Sequence, residues 1–186
     1  MPEADSIRLL PMTPAFLEAV LADRREEAER VLGLSLFAEF PTEGERRFLA
    51  MRLRQVHEDA RFQTWCAHAI VLGGQMVGHA GYHGPPGINA AHAPDAVELG
   101  YTIFAPYRGR GYATDAARML IDQADKRANI RHFVVAVSPT NAPSLAIVQK
   151  LGFLKTGERM DDEDGLEHVF ELHRDAAETL SDSQPE

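Results

Sequence analysis

The sequence predicts a single α/β domain in which helices cover both faces of a mixed sheet. Its 186 residues are the length of one ordinary domain, and 45% of them are hydrophobic, which is enough to bury a full core. Apolar residues recur at helical spacing in some segments and form short strand-like runs in others. These segments follow one another in the order β-α-α-β-β-β-α-β-α-β-β, and no linker or repeat separates them.

The first third of the chain predicts one strand and two helices. Residues 7–10 are a short apolar run typical of a strand. Thr13 followed by Pro14 is typical of a helix start, because threonine caps free N–H groups and proline suits the first helical position. We expect this helix to end at Gly33. Residues 42–45 have the pattern of a capping box and predict a second helix, with Leu49, Leu53, Val56 and Ala60 on one face.

The rest of the chain predicts six strands and two helices. The strands cover residues 65–72, 76–82, 97–104, 133–137, 153–159 and 166–172, and the helices cover residues 110–128 and 144–151. Gly73 and Gly74 indicate a hairpin between the first two of these strands. Residues 83–96 contain three prolines and two glycines and predict a loop. We expect residues 1–173 to form the domain and residues 174–186 to be a disordered tail.

The composition argues against several classes of function. The formal net charge of −9 is unfavourable for nucleic-acid binding, which needs a basic face. No apolar run approaches the ~20 residues of a membrane span, and we expect no signal peptide. The single cysteine, Cys66, cannot form an intramolecular disulfide, so we expect a cytoplasmic protein. His79, His83 and His92 lack the spacing of a metal site, and we expect no metal.

The most informative segment is RGRGYAT at residues 108–114, between a predicted strand and a predicted helix. The first N–H groups of a helix lack partners, and glycines there let the backbone approach a phosphate closely. Thr114 stands where a dinucleotide-binding fold has its third glycine, and the Lys-Ser or Lys-Thr of a Walker loop is absent. An acyl-CoA pyrophosphate site and a plain glycine-rich turn remain as interpretations.

Two motifs, in this order, resemble the GNAT superfamily of N-acyltransferases. Arg108-x-x-Gly111-x-Ala113 matches the family's pyrophosphate signature, which follows its fourth strand. Asn141, followed by a short helix and a Leu-Gly-Phe ending at Phe153, matches an element that follows its fifth strand. The resemblance covers about residues 97–172. It implies a GNAT-like fold with a mostly antiparallel sheet, whose central strands splay apart around the cofactor.

The resemblance also implies particular roles for residues at the matching positions. Main-chain groups near Thr102, Ile103 and Phe104 would pair with the pantetheine arm of acetyl-CoA. Asn141 and Ser144 would contact that arm near the thioester. The pyrophosphate would lie against the backbone N–H groups of Arg108, Gly109, Arg110, Gly111, Tyr112, Ala113 and Thr114. The segment Glu98-Leu99-Gly100-Tyr101 looks like the branch of the family that acetylates the N-termini of ribosomal proteins.

Acyl transfer to an amine needs a group that removes the proton of an arriving ammonium ion. Glu98 matches the strand position where many family members keep a catalytic glutamate, and it is our candidate base. One of the histidines in residues 79–92 is the alternative. Many family members supply a proton to the leaving thiolate from a tyrosine, but Val148 occupies that position here. Ser144 is the candidate hydrogen-bond donor to the sulfur.

The sequence therefore predicts an N-acetyltransferase that moves an acetyl group from acetyl-CoA to a primary amine by direct attack in a ternary complex. The acceptor would be a protein N-terminus or a small molecule, and the enzyme a monomer or homodimer. The helices before residue 60, the loop at residues 83–96 and the acidic turn at residues 161–164 would form its pocket. The alternative is a non-catalytic acyl-CoA-binding sensor or interaction module, which the absence of the usual tyrosine favours.

Overall fold

The computed structural model describes residues 6–162 and 165–174, which form seven strands and six helices. The strands are β1 (Arg8–Pro11), β2 (Ala67–Leu72), β3 (Gln75–Tyr82), β4 (Ala96–Ile103), β5 (His132–Val137), β6 (Leu154–Asp161) and β7 (Gly165–His173). The helices are α1 (Pro14–Leu21), α2 (Arg25–Leu32), α3 (Glu43–Glu58), α4 (Arg61–Thr64), α5 (Tyr112–Ala128) and α6 (Ala142–Lys150). No helix of the described residues is long and apolar enough to cross a membrane.

The strands form one sheet in the order β1-β2-β3-β4-β5-β7-β6. Neighbouring strands are antiparallel except β4 and β5, which are parallel. These two strands pair only at Ala96 with His132, Val97 with Phe133 and Glu98 with Val134. Beyond this short pairing β4 continues to Ile103 and β5 to Val137, so the sheet opens between them. The predicted splayed α/β fold is confirmed.

Two hydrophobic clusters flank the sheet. The larger one lies under α5, whose alanines and Leu120 pack against inward-facing residues of β1 and β3–β5. The smaller one packs α1–α3 against the other face, where Phe16 of α1 and Leu49 of α3 are fully buried. Alternation along β2 supplies both clusters, since Ile70 faces the first and Ala69 and Val71 face the second.

The structure corrects one prediction in the N-terminal region. Residues 13–33 form two helices, because the chain turns at Asp23, which has a positive φ of 58°. The turn brings the N–H of Arg24 within 2.8 Å of the carbonyl of Ala19, which closes the end of α1. The predicted starts are confirmed: Thr13 caps α1, and Thr42 and Glu45 form a capping box on α3.

The C-terminal boundary is described only in part. The predicted closing strand pair is present as β6 and β7, which join Asp161 to Gly165 across the acidic turn. Residues 163–164 of that turn, and residues 175–186 of the predicted tail, lie outside the described residues. Arg174, the first residue assigned to the tail, donates its N–H to the carbonyl of Arg131 at 2.9 Å.

Candidate active site

The opening between β4 and β5 leads into a cleft of about 670 Å³. It is lined by the ends of β4 and α6 and by the segment between β4 and α5. Eleven of the predicted cofactor residues lie on its wall: Thr102, Ile103, Arg108, Gly109, Arg110, Gly111, Tyr112, Ala113, Thr114, Asn141 and Ser144. The residues singled out by two separate motifs therefore share one cleft.

The N-terminus of α5 has an uncapped first turn that is preceded by two left-handed glycines. Gly109 and Gly111 have φ values of 74° and 85°, in the left-handed region where glycine is favoured. No side chain caps the first turn of α5, so its N–H groups face the cleft without a partner from a capping residue. The helix dipole adds partial positive charge at this end. Arg110 is exposed beside these N–H groups and adds a full positive charge.

Two of the predicted cofactor residues have other roles in this structure. The side chain of Phe104 lies in the smaller core, stacked on Phe37 with ring centroids 4.9 Å apart. Its N–H is already bonded to the carbonyl of Val77 at 2.9 Å, so Phe104 lies outside the cleft. Arg108 folds back and donates from Nε to the carbonyl of Ile103 at 2.9 Å, which stabilises the exit from β4.

The start of α6 forms the opposite wall of the cleft. Asn141 accepts a hydrogen bond from the N–H of Ser144 at 3.2 Å and so caps the helix with its side chain. The hydroxyl-bearing Ser144 borders both the cleft and the deeper space between the strands. Val148, one turn further along, is fully buried in the larger core. That position therefore has no contact with the cleft.

Two further cavities continue from the cleft into the protein. An inner chamber of about 320 Å³ lies between the splayed strands and shares Tyr101, Asn141 and Ser144 with the cleft. A third chamber of about 540 Å³ lies between α3 and the sheet. It shares His83, Gly100 and Tyr101 with the inner chamber. The three spaces meet at Tyr101, as a two-substrate site requires.

The chain matches the model of the acetyltransferase (GNAT) domain over residues 6–154. The chain belongs to the GNAT acetyltransferase family. It is 28% identical to the uncharacterized N-acetyltransferase YnaD of Bacillus subtilis over 60 residues, which are 32% of this chain and 35% of that protein. The curated relatives it matches are aligned over 33% to 40% of their own length.

Solved structures share the fold over nearly the whole chain. One is the ribosomal-protein-S5-alanine acetyltransferase of Vibrio fischeri, 21% identical, with a TM-score of 0.60 over 95% of this chain and 96% of that one. Another is the microcin C7 self-immunity acetyltransferase MccE in complex with acetyl-CoA and AMP, 16% identical. Its TM-score is 0.61 over 91% of this chain and 93% of that one. The GNAT fold is thus common to proteins named for quite different acceptors.

The predicted base of this GNAT site, Glu98, lies behind the wall of the cleft. Its side chain is 2% exposed, and Oε2 accepts the N–H of Ala90 at 2.7 Å. Oε1 lies 3.0 Å from Nδ1 of His83 and 3.8 Å from Nη2 of Arg159. Burial works to raise the pKa of Glu98, but His83, Arg159 and the Ala90 N–H outweigh it and lower the pKa. The carboxylate is ionised at neutral pH.

The three histidines considered as alternative bases lie in different surroundings. Burial lowers the pKa of His79 to about 4, and its ring stacks on Phe48 at 5.2 Å. His92 is exposed in the loop before β4 and lines none of the three spaces. His83 is 42% exposed at its side chain and borders the inner chamber and the third chamber together. Of these three histidines, only His83 contacts Glu98 and also borders the chambers.

Two residues of the site were given no functional role from the sequence. Arg52 of α3 is buried, and burial lowers its pKa to about 10, which still leaves it charged at neutral pH. Its Nη1 donates to the carbonyl of His83 at 2.7 Å. The Tyr101 hydroxyl is buried without an aligned partner in the described part of the chain. Burial raises its pKa, and the nearby Ser144 hydroxyl offsets part of that rise.

One group of side chains has the composition of a metal site. Donor atoms of His132, Glu171 and His173 lie within 4.8 Å of one another, where β5 begins and β7 ends. Nε2 of His132 is 2.5 Å from Oε2 of Glu171, whereas two ligands of one zinc ion are about 3.3 Å apart in tetrahedral geometry. These two side chains are joined directly by a hydrogen bond. The group is far from the splayed end of the strands.

Proposed function

We propose that the protein transfers an acetyl group from acetyl-CoA to a primary amine by direct attack in a ternary complex. The observation that carries this proposal is the parting of β4 and β5 after Glu98, beside an uncapped helix start with two left-handed glycines. Pyrophosphate would bind the N–H groups of residues 109–114, and the pantetheine arm would lie along β4 beside Thr102 and Ile103. Asn141 and Ser144 would meet it near the thioester.

The chamber between α3 and the sheet is our candidate for the acceptor. It opens toward the inner chamber, and it includes Glu45 and Arg52 as charged groups with the aromatic ring of Phe48. The chamber lies on the side of β4 away from the pyrophosphate cradle, so an amine bound there would approach the thioester from the far side. Holding both substrates in this geometry would supply much of the rate enhancement.

The acceptor class is tested by release of CoA thiol from acetyl-CoA in the presence of separate amine pools. The pools are peptides with free N-termini, polyamines, amino acids and aminoglycosides. The Vibrio fischeri relative is named for a ribosomal-protein N-terminal alanine, so peptides that begin with alanine come first. Release that depends on one pool establishes the enzyme and its acceptor class.

A non-catalytic acyl-CoA-binding module is the second candidate. It is favoured by Val148, which occupies the position of the family's proton-donating tyrosine. Val148 is buried in the core and has no group that could donate a proton to the thiolate. A thiolate with a pKa near 8.5 leaves without an acid more readily than an amine or alkoxide does, and the Tyr101 and Ser144 hydroxyls border the same space. Acetyl-CoA binding without thiol release from any amine pool would support the module.

The cofactor site itself is tested by Gly111→Glu, which puts a negative charge into the proposed pyrophosphate cradle. We expect acetyl-CoA affinity to fall by at least about 100-fold in titration calorimetry. The matched control is Gly33→Glu, because Gly33 also has a positive φ (65°) with open space around it but lies at the end of α2. Equal acetyl-CoA affinity in the two variants would disprove the cradle.

A further inference from the structure

We propose that His83 is the catalytic residue that takes the proton from the acceptor amine, and that Glu98 is the positioning residue that sets its orientation. This inference rests on the proposed function and assigns the proton transfer within it. The assignment follows from how His83 is held, what each of its ring nitrogens faces, and which spaces it borders.

The backbone of His83 is held from both sides. Its N–H donates to the carbonyl of Glu98 at 2.9 Å, and its carbonyl accepts from Nη1 of Arg52 at 2.7 Å. One contact comes from β4 and the other from α3, so the two walls of the third chamber fix one residue between them. A side chain that starts from such a fixed point loses little freedom when a substrate arrives.

The two ring nitrogens of His83 have different surroundings. Nδ1 lies 3.0 Å from Oε1 of Glu98, although that oxygen has no well-aligned donor among residues 6–162 and 165–174. Nε2 faces the gap over Gly100, where a Cβ atom would lie only 2.8 Å away. Hydrogen bonds of this kind are often poorly aligned before substrate binds and tighten in the reacting complex.

The charges around His83 favour one tautomer. An ionised Glu98 accepts a hydrogen bond from the Nδ1–H group, which leaves the lone pair on Nε2 directed toward the substrate spaces. Arg159 of β6 lies 3.8 Å from the same Glu98 oxygen and is bonded to Glu167 of β7 at 2.7 Å. From α3, Arg52 is bonded to the carbonyl of His83, and Glu45 borders the same third chamber. Glu98 therefore keeps its charge while remaining buried.

None of the other three candidates meets these conditions, and His92 borders none of the three spaces. Glu98 has 2% of its side chain exposed and lines neither the inner chamber nor the third chamber. His79 borders the third chamber, but a pKa of about 4 makes it too weak a base to take a proton from an ammonium ion at neutral pH. An imidazole with one nitrogen open to the chambers is the remaining base.

The proposed step conserves atoms and charge. Nε2 of His83 accepts a proton from the acceptor ammonium, and the freed lone pair of the amine attacks the thioester carbon. The C–N bond forms, the carbonyl reforms and the C–S bond breaks, so that CoA leaves as a thiolate. The second proton of the former ammonium passes to the thiolate, directly or through water. The products are the amide, CoA thiol and the imidazolium of His83, which loses its proton to solvent.

His83→Ala tests the catalytic assignment in the full-length protein. We expect kcat to fall about 100- to 1,000-fold, with acetyl-CoA affinity changed less than about 3-fold. Added imidazole should restore part of the lost rate. The matched control is His92→Ala, in the same loop but exposed and outside the chambers, which should retain the wild-type rate. A His83→Ala rate equal to that of His92→Ala would overturn the assignment.

Glu98→Gln tests the positioning role, since the amide keeps the shape of the side chain but removes its charge. We expect kcat to fall about 10- to 100-fold and the acidic limb of the kcat profile to move, with KM for acetyl-CoA nearly unchanged. A merely structural role would lower the melting temperature and leave the pH profile in place. An unmoved profile at full rate would exclude Glu98 from the proton path.

Nitrogen NMR of the imidazole rings gives a readout that needs no acceptor. We expect His83 to carry its proton on Nδ1 in the neutral form of the wild-type protein, and to lose this preference in Glu98→Gln. A proton on Nε2 in the wild type would overturn the proposal even if no acceptor were known. Absence of turnover by the wild type on every amine pool, with the Nδ1 tautomer present, would count against the proposed function instead.

Discussion

Two histidine–carboxylate groups lie at opposite ends of the short parallel pairing of β4 with β5. At its beginning, His132 stands between Asp95 at 3.2 Å and Glu171 at 2.5 Å. At its end, two residues further along β4, Glu98 reaches His83 at 3.0 Å. The side chain of His132 is 8% exposed, whereas that of His83 is 42% exposed. A histidine–carboxylate contact thus occurs both where β4 and β5 are paired and where they begin to separate.

The difference shows how burial and partner number separate structural from catalytic histidines. His132 has a carboxylate at each ring nitrogen and packs against His173 with ring centroids 3.9 Å apart, so it has no nitrogen left for a substrate. His83 has one carboxylate and one nitrogen open to the chambers. The strands are paired at the first group and have separated just beyond the second, and this separation creates the opening.

The comparison predicts that His132→Ala destabilises the fold without changing catalysis. The substitution leaves Glu171 and Asp95 without their shared donor at the start of β5, and we expect the free energy of unfolding to fall by about 2–3 kcal/mol. Urea denaturation measures the loss, and kcat in the thiol assay should stay within about 2-fold. His173→Ala, which removes only the stacked outer ring, serves as the control with a smaller expected loss.

A fall in kcat with unchanged stability in His132→Ala would break the comparison. The two groups would then be coupled along β4 and β5, and the closed end of the pairing would belong to the catalytic machinery. A large loss of stability in His83→Ala would also break the comparison, because His83 would then have a structural role like that of His132.

Gly100→Ala gives a smaller effect at the open end. The added methyl group meets the Nε2 tip of His83 rather than backbone, so we expect the ring to turn away and kcat to fall about 10-fold with little change in stability. Gly81 pairs with Gly100 across the strands, but a Cβ there would lie 2.6 Å from the backbone of Ala67 and Cys66.

Two control variants for Gly100→Ala therefore have different expected effects on stability. Gly81→Ala should destabilise the sheet by several kcal/mol, about 3 or more, because backbone cannot give way as a side-chain tip can. Gly157→Ala, with open space around the new methyl group, should leave both stability and kcat near the wild-type values. A wild-type rate in Gly100→Ala would argue against a fixed position of His83 in the reaction.

The smallest predicted effect is on acid stability. Hydrogen bonding from His132 lowers the pKa of Asp95, and bonds from Thr156 and His132, opposed by partial burial, lower that of Glu171. A carboxyl group with a lowered folded-state pKa stabilises the protein above its unfolded value and loses that contribution as pH falls through the folded value. Stability should therefore decline between about pH 5 and pH 3, and less steeply in His132→Ala. Parallel urea midpoints across this range would contradict the closed-end assignment.

Local chemistry explains which parts were predictable. The cradle at residues 108–114 is contiguous, so its glycines, arginines and following helix could be identified together, and all seven residues lie on the cleft wall. The caps at Thr13 and Thr42 depend on neighbours three residues away. The break at Asp23 was missed because apolar spacing continued across it while packing of α1 against α2 required a turn.

The roles of the site residues depend on contacts between distant segments and could not be predicted locally. His83, Arg52 and Glu98 are far apart in the chain and meet only when α3, the loop before β4 and β4 itself are packed together. The sequence identified Glu98 by its strand position but could not show that its carboxylate would be buried behind His83. The position of the Phe104 side chain in the smaller core could not be predicted either, because it depends on Phe37, which is distant in sequence.

The sequence by itself determined the fold class, the family resemblance and the place of the glycine-rich turn before α5, since short-range periodicity, capping and glycine backbone freedom specify these locally. Only the tertiary structure decided which histidine has an open nitrogen, which carboxylate supports it and where the three spaces meet. Those properties depend on desolvation and on distances between segments far apart in the chain, and both are established only when the sheet closes at one end and opens at the other.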